Sequence, residues 1–291
     1  MTRGVGVGIV RSVLPTPLVS VGWLEAQLDD PDLVVLDASM MPVGVSTASS
    51  GAAEHYIPGA RVFDFDQRIC DPGSSLPHML PSPELFTREV RSLGVNGASR
   101  IVVYDRIGIF SSPRAWWMFR AMGHDRVAVL DGGLPAWSQA GLRLERAPRQ
   151  VMAPGDFLAA PRRELFVDAE HVRRALVDST VAVLDARSAG RFLGLEPEPR
   201  PGLRSGHMPN AINVPFGAVL AQGHLRPQQE LVALLSAAAG ERQRLIFSCG
   251  SGVTACTLAL AAELAGYSDK AVYDGSWSEW GLPSSRPVVS A

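Results

Sequence analysis

The chain has 291 residues, of which 46% are hydrophobic, and a formal net charge of −2. This length accommodates two domains with sizeable cores, and the charge balance, without a polybasic run, excludes an electrostatic nucleic-acid surface. The sequence holds no apolar run of membrane-spanning length. Three cysteines, without disulfide-framework or metal-ligand spacing, are typical of a reducing compartment. We therefore expect a cytoplasmic protein that contacts neither nucleic acid nor a membrane and binds no metal.

The start of the chain does not have the pattern of a folded element. Residues 1–15 contain two arginines, no acidic residue and a short apolar patch. A weak targeting peptide would share these features, but the patch is too short and too rich in glycine for a convincing signal sequence. We predict a disordered N-terminal extension over residues 1–15.

Helices and strands alternate in the first half of the chain. Hydrophobic periodicity and stop signals predict each element. In chain order these are a helix over 22–30, a strand over 33–36, a helix over 84–93, a strand over 101–104, a helix over 112–122 and a strand over 127–130. The segments 41–53, rich in serine, glycine and alanine, and 67–83, with four prolines, are predicted to be irregular.

The same order of short motifs returns in the second half. Val35-Leu-Asp-Ala38 recurs as Val183-Leu-Asp-Ala186, and Asp131-Gly-x4-Trp137 recurs as Asp274-Gly-x4-Trp280. Two further pairs match in the same order: 57–60 with 208–211, and 101–104 with 245–248. Four matches in one order at a nearly constant offset indicate an internal duplication.

The duplication sets the expected domain organisation. We predict one domain over 16–146, a linker over 147–161, which contains three prolines, and a second domain over 162–291. Alternating strands and helices in each half predict an α/β fold of two tandem domains, each a mainly parallel sheet flanked by helices. In such sheets ligands bind beyond the carboxyl ends of the strands.

A cysteine stands at one of these strand ends. Cys249 follows the predicted strand 245–248 and is succeeded by Gly250, Ser251, Gly252, Val253 and Thr254, which lead into a predicted helix over 255–265. A strand, a glycine-rich turn and a helix N-terminus form an anion cradle, because loop N–H groups and the helix dipole point at the turn. A thiolate is stabilised there and acts as a nucleophile.

Two other interpretations of this loop were weighed. A buried structural cysteine beside a flexible turn is disfavoured by the two glycines and the helix that follows. A cysteine-dependent phosphatase would need an arginine six residues after Cys249 to clamp phosphate oxygens, and Ala255 stands there. The loop suits a smaller guest, such as one sulfur atom.

The first half serves as an internal control. The duplication places Asp105 where the second half has Cys249, and the following loop carries the bulky residues Ile107, Ile109 and Phe110. We expect these side chains to prevent a cradle from forming. Only the second domain should therefore be catalytic, while the first covers one wall of a pocket between the domains.

From about Leu18 to Leu282 the chain resembles the two-domain rhodanese-type sulfurtransferases. The loop from Cys249 to Thr254 is similar to that of the branch that uses 3-mercaptopyruvate, whereas the thiosulfate branch has two basic residues where Gly250 and Ser251 stand. The resemblance implies that Cys249 takes a sulfane sulfur as a persulfide and passes it to cyanide or to a thiol, such as thioredoxin or a small thiol, without a cofactor. Thiosulfate as donor, and a non-enzymatic sulfur carrier or binding protein, stay open as alternatives.

The resemblance also implies roles for two arginines. Arg191 and Arg200 match a family pattern in which both arginines hold the carboxylate and keto oxygen of the donor, and we predict that they lie in a loop. A planar guanidinium fork fits a 2-oxo acid. The alternative is solvated surface charge paired with Glu196 or Glu198.

Asp66 and His78 match the family segment that reaches over the active site. There an Asp–His pair is expected to work with the loop serine, here Ser251, by orienting it for proton or hydrogen-bond donation. The alternative for His78 is a surface loop histidine. Cys256, seven residues after Cys249, should face the core, and a weak accessory redox function stays open for Cys70.

Overall fold

The computed structural model describes residues 14–42 and 55–290. The predicted loop over 41–53 and the predicted extension over 1–15 therefore lie mostly outside the described residues. In the part of the chain that the structure describes, no helix is long and apolar enough to span a membrane. The predicted domain boundaries stay predictions.

The first half contains five strands and four helices in the described residues. They are β1 (Leu18–Val19), α1 (Val21–Glu25), β2 (Leu33–Asp37), β3 (Arg61–Val62), α2 (Pro83–Ser92), β4 (Arg100–Tyr104), α3 (Ser112–Ala121), β5 (Val127–Leu130) and α4 (Gly133–Gln139). Most predicted elements are present within one or two residues of their expected ends. The predicted helix over 22–30 is wrong in length, since α1 ends at Glu25 and turns follow.

Apart from one extra short helix before its third strand, the second half repeats the order described for the first with one addition. Its elements are β6 (Phe166–Val167), α5 (Ala169–Ala175), β7 (Val181–Asp185), α6 (Ala189–Leu193), β8 (Ile212–Asn213), β9 (Leu220–Ala221), β10 (His224–Leu225), α7 (Gln228–Ala239), β11 (Arg244–Ser248), α8 (Ala255–Leu264), β12 (Lys270–Tyr273) and α9 (Ser276–Trp280). The addition is the antiparallel hairpin of β9 and β10.

Each half forms a five-stranded parallel sheet with the same strand order. The first is β1-β5-β4-β2-β3 and the second is β6-β12-β11-β7-β8. The register is also repeated, because Asp37 pairs with Tyr104 in the first sheet and Asp185 pairs with Ser248 in the second. The predicted α/β fold of two tandem parallel sheets is confirmed. The carboxyl ends of the two central strands of the second sheet, β7 and β11, lie side by side and position the candidate site.

The two halves share one hydrophobic core. Helices α3 and α8 pack against each other, and a single cluster of buried residues contains side chains from both halves. This packing explains why both helices are almost completely buried, since a helix with apolar residues all round is stable only inside a protein. Helix α8 is therefore held between the second sheet and α3.

Candidate functional site

Cys249 lies between the end of β11 and the start of α8, and only 2% of its surface is exposed. The carbonyl oxygens at the start of the loop face α9: Cys249 O accepts from Trp277 N at 3.0 Å, and Gly250 O accepts from Ser278 N at 2.8 Å. Within the described residues, the backbone N–H groups of 251–254 donate to no protein oxygen. They are free to meet an anion or a sulfur atom.

The equivalent loop of the first half shows what such N–H groups do. Oδ1 of Asp105 accepts from the backbone N–H groups of residues 107 and 108, each at 3.0 Å. Oδ2 accepts from the N–H groups of residues 110, 111 and 112 at 2.9–3.0 Å, and from the Ser112 hydroxyl at 2.7 Å. The expectation that bulky side chains prevent a cradle is wrong, because five backbone N–H groups and the Ser112 hydroxyl form it and Ile107 extends outward, 46% exposed. The cradle exists, and a carboxylate fills it.

Two glycines of the loop that follows Cys249 leave room for arginines. A Cβ atom on Gly250 would lie 3.1 Å from Nη2 of Arg191. Gly252 has a φ of +74°, and a Cβ atom there would lie 3.0 Å from Nη1 of Arg114. Glycine is therefore required at 252 by its left-handed backbone and by close approach, while a side chain at 250 would displace the Arg191 guanidinium.

Arg191 lies on the short helix α6, so its predicted place in a loop is wrong. Its guanidinium pairs with Glu198, with Nη2 and Oε2 2.6 Å apart, and 22% of the side chain is exposed. Oε1 of Glu198 also lies 2.8 Å from Nη1 of the buried Arg187. Nη2 of Arg187 in turn lies 2.7 Å from Oδ2 of Asp185. The pairing weighed as an alternative is thus present, with Glu198. Arg191 nevertheless borders the cavity beside Cys249.

Arg200 has a different environment. Its Nη2 lies 3.2 Å from Nε2 of His78, and no carboxylate of the described residues lies within ion-pair distance. Burial lowers the pKa of Arg200, and the nearby Cys249 opposes this effect. The guanidinium keeps its charge at neutral pH, so Arg200 presents a cation that has no direct carboxylate partner among the described residues.

His78 is buried, 6% exposed, so the alternative of a surface histidine is wrong. Its Nδ1 lies 2.9 Å from Oδ1 of Asp66, and this hydrogen bond lowers the pKa of Asp66. Its other ring nitrogen faces Arg200. Among the described residues no hydrogen bond joins His78 to Ser251, so the structure does not show the predicted orientation of Ser251 by His78. It instead brings together Asp66, His78 and Arg200.

A cavity of about 230 Å³ opens beside Cys249. It is bordered by both predicted arginines and by the loop residues Gly250, Ser251, Val253 and Thr254. Apolar residues of the first half, Met40 and Phe110, form part of its wall, as expected for a pocket between the domains. Two clefts of about 540 Å³ lie elsewhere, and neither is lined by a cysteine or a histidine. The smaller cavity is therefore the candidate site.

The other cysteines are not suited to nucleophilic chemistry. Cys256 faces the core as predicted, and burial raises the pKa of its thiol to about 12. Burial and the carboxylates of Asp66, Asp64 and Asp71 raise the pKa of Cys70. In the part of the chain that the structure describes, no cluster of histidine, cysteine or acidic side chains could hold a metal ion.

Sequence reasoning missed the roles of Arg114 and Asp274. Arg114 is fully buried on α3, and its Nη2 lies 2.7 Å from Oδ1 of Asp274, which follows β12. A charged residue within an apolar helix was an available signal, because buried charges need partners. Asp274 belongs to the repeated Asp-Gly motif. Its Oδ2 accepts from Leu80 N at 2.8 Å.

The first copy of this motif makes the equivalent contact, with a segment of the second half. Oδ1 of Asp131 accepts from Leu225 N at 3.1 Å. Each half thus extends a segment toward the other half, the first toward the Cys249 loop and the second toward the Asp105 loop. A backbone N–H group of each segment donates to the aspartate of the repeated motif.

Comparisons with known proteins agree with this geometry. Residues 20–140 and 168–282 each match the family described as "Rhodanese-like domain". The chain belongs to the rhodanese family. It is 40% identical, over 94% of its length and 98% of the relative's, to a 3-mercaptopyruvate sulfurtransferase of Escherichia coli K12. It is also 40% identical, over 94% of both chains, to a thiosulfate sulfurtransferase of Rattus norvegicus.

A solved structure has the same fold. The crystal structure of SseA from Escherichia coli, described as a 3-mercaptopyruvate sulfotransferase with the rhodanese fold, superposes with a TM-score of 0.78. The match has 37% identity and covers 92% of this chain and all of the other. These similarities identify this rhodanese-family chain as a sulfurtransferase. The chain is equally identical to relatives named for two different sulfur donors, so the choice of donor depends on the site.

Proposed function

We propose that this sulfurtransferase moves a sulfane sulfur from 3-mercaptopyruvate, through a persulfide on Cys249, to a thiol or cyanide, and releases pyruvate. The observation that carries the choice of donor is the position of positive charge. Residues 250–254 of the loop are neutral, while Arg200, without a carboxylate partner, and Arg191 border the cavity. A donor whose charge lies on a carboxylate several atoms from its sulfur fits this arrangement.

In the first half-reaction the Cys249 thiolate attacks the sulfur of 3-mercaptopyruvate. A sulfur–sulfur bond forms, and the carbon–sulfur bond breaks with its electron pair moving into a pyruvate enolate. The enolate takes a proton and leaves as pyruvate. Arg200 and Arg191 bind the carboxylate and keto oxygen, and this cationic environment stabilises the enolate. Ser251, on the wall of the cavity, supplies a hydroxyl near the departing group.

In the second half-reaction an acceptor thiolate attacks the outer sulfur of the persulfide. The acceptor leaves with that sulfur as its own persulfide, and the Cys249 thiolate is regenerated. With cyanide the product is thiocyanate. The loop N–H groups of residues 251–254 stabilise the anionic sulfur in both half-reactions. We propose a small thiol or a thioredoxin-like protein as the acceptor and the cytoplasm as the compartment, in line with three free cysteines.

Thiosulfate is the second candidate donor, favoured by the equal identity to the rat thiosulfate sulfurtransferase. Thiosulfate is a compact dianion, and its binding benefits from positive charge close to the nucleophile. The neutral loop argues against it. A non-enzymatic sulfur carrier is disfavoured because Cys249 opens onto a cavity of small-molecule size.

A side-by-side measurement of kcat/KM with 3-mercaptopyruvate and with thiosulfate tests the proposal. We expect the first to be higher, and a higher value for thiosulfate would overturn the choice of donor. Incubation with donor and no acceptor should add one sulfur atom to a peptide containing Cys249, and Cys249→Ser should abolish turnover. Sulfur found on Cys70 or Cys256 instead would refute the assigned nucleophile.

A further inference from the structure

One buried cation from the non-catalytic half reaches the catalytic loop. The Arg114 side chain has no exposed surface, although it is carried by α3 of the first half. Its Nη1 donates to the carbonyl oxygen of Gly252 at 3.3 Å. Its Nη2 donates to Asp274 Oδ1 at 2.7 Å and to the carbonyl oxygen of His78. One guanidinium thus contacts three separate segments of the site.

The positive charge of Arg114 is paired with the Asp274 carboxylate inside the protein. Burial is the largest single influence and acts to lower its pKa, but the Asp274 carboxylate and Cys256 together raise the pKa of Arg114. The guanidinium also lies over the ring of Phe166, 4.6 Å from its centroid. A buried ion pair contributes little net stability by itself, and such pairs are better explained by the geometry they impose.

The carbonyl group of Gly252 has a second buried donor. The Cys256 thiol donates to the same oxygen, with Sγ and O 3.2 Å apart. Burial raises the pKa of Cys256 to about 12, so this thiol stays protonated and remains a donor. Because the peptide unit is planar, two donors on the Gly252 carbonyl fix the plane that leads into Val253 and the start of α8.

The segment that contains His78 is fixed by the same two residues, Arg114 and Asp274. His78 has a left-handed backbone, with φ of 61°, which must be held in place by its surroundings. Arg114 holds its carbonyl oxygen, and Asp274 accepts from Leu80 N two residues later. The His78 ring contacts Arg200. The ion pair of Arg114 and Asp274 therefore sets the position of the Cys249 loop relative to a donor-binding cation.

We propose that Arg114 is a positioning residue for sulfur transfer, and that it is the contribution by which the non-catalytic half acts on Cys249. It does not touch the donor. It holds the loop of Cys249 and the segment of His78 in the arrangement that reaction requires. The inference rests on Cys249 as the nucleophile of the proposed function, and it does not depend on which donor is used.

Arg106 provides a matched control within the first half. Its Nη2 lies 2.8 Å from Asp37 Oδ2, and its Nη1 donates to the His55 carbonyl oxygen at 2.8 Å. Its guanidinium also lies over an aromatic ring, 4.6 Å from the centroid of Tyr56. Arg106 therefore makes the same three kinds of contact as Arg114, but none of these contacts involves the catalytic half.

The test uses Arg114→Met, Arg114→Lys and Arg106→Met in the full-length chain. The first readout is the pH dependence of Cys249 alkylation by iodoacetamide, which needs no sulfur donor. We expect Arg114→Met to slow alkylation at neutral pH by about tenfold or more, because a small misplacement of reacting groups has large kinetic effects. The midpoint of its pH–rate profile should move to higher pH, and kcat should fall with it.

The two other variants separate positioning from stability. Arg114→Lys should restore part of the rate, because lysine keeps the charge but cannot fork between Gly252 and Asp274. Arg106→Met should lower the unfolding temperature and leave the alkylation profile unchanged. If Arg114→Met does not fold, Arg114→Lys alone should show a slower rate and a shifted midpoint.

Two outcomes would overturn the inference. One is a wild-type alkylation profile in a folded Arg114→Met variant with a lowered unfolding temperature, and the other is a wild-type profile in Arg114→Lys when Arg114→Met does not fold. A wild type that alkylates normally but does not use 3-mercaptopyruvate would refute the proposed donor and leave this inference intact.

Discussion

Nε2 of His78 lies 3.2 Å from Nη2 of Arg200, and only the histidine can be the acceptor in this pair. A guanidinium carries donors alone, so Nε2 is the acceptor in this contact and the proton of the neutral ring is on Nδ1, which lies 2.9 Å from Oδ1 of Asp66. The line from Asp66 through His78 to Arg200 orients a cation toward the cavity. In this state His78 cannot donate a proton from Nε2.

This relationship predicts different effects for two substitutions of His78. His78→Gln offers a side-chain carbonyl oxygen that can accept from Arg200, whereas His78→Ala removes the acceptor. We expect His78→Ala to raise KM for 3-mercaptopyruvate by roughly tenfold with a smaller effect on kcat, as for loss of a hydrogen bond to a charged group. His78→Gln should stay within about threefold of the wild type. Steady-state kinetics would decide, and an equal loss of kcat in both variants would instead indicate proton transfer by His78.

The two cavity arginines should act on donor binding. Arg200→Ala removes the cation that lacks a carboxylate partner, and we expect kcat/KM for 3-mercaptopyruvate to fall by roughly ten- to a hundredfold. Arg191→Ala should also weaken donor use, but it leaves Glu198 paired with Arg187 alone. Alkylation of Cys249 should be preserved in Arg191→Ala. Full activity with 3-mercaptopyruvate in both would contradict the assigned binding site.

Residue 250 should influence donor choice through Arg191. Because a Cβ atom on Gly250 would lie 3.1 Å from Nη2 of Arg191, Gly250→Ala should displace that guanidinium and lower 3-mercaptopyruvate use without creating thiosulfate activity. The double variant Gly250→Arg with Ser251→Lys should lower 3-mercaptopyruvate use and raise kcat/KM for thiosulfate, since it adds charge beside the nucleophile. Rates of all three proteins with both donors measure the switch. A double variant that gains nothing with thiosulfate would show that loop charge does not set the preference.

Asp105→Cys should not create a second persulfide site, although the cradle around position 105 is complete. The β9–β10 hairpin covers this loop, because a Cβ atom on Gly108 would lie 3.1 Å from the carbonyl oxygen of Gly223. Mass spectrometry after incubation with donor should find one added sulfur atom per chain. Two added sulfur atoms would show that the first half can be made catalytic by one substitution.

Local pattern accounts for much of this site. The strand, glycine-rich turn and helix around Cys249, and the equivalence of Asp105, follow from periodicity and repetition along the chain. The contacts of Arg114 could not be predicted in this way, because they exist only once α3 docks against the catalytic half. The same holds for His78, whose partner Arg200 belongs to the other half. Nor did spacing alone decide whether Arg191 pairs with Glu196 or Glu198.

The Asp105 cradle implies a thermodynamic difference between the two halves. A buried N–H group without a partner costs about 1–3 kcal/mol, and the tethered carboxylate satisfies five such groups permanently. At the equivalent position the catalytic loop carries only the single sulfur of Cys249, and within the described residues the N–H groups of 251–254 donate to no protein oxygen. A persulfide on Cys249 would offer these N–H groups a second sulfur atom, so we expect the sulfur-loaded protein to unfold at a higher temperature than the unloaded protein.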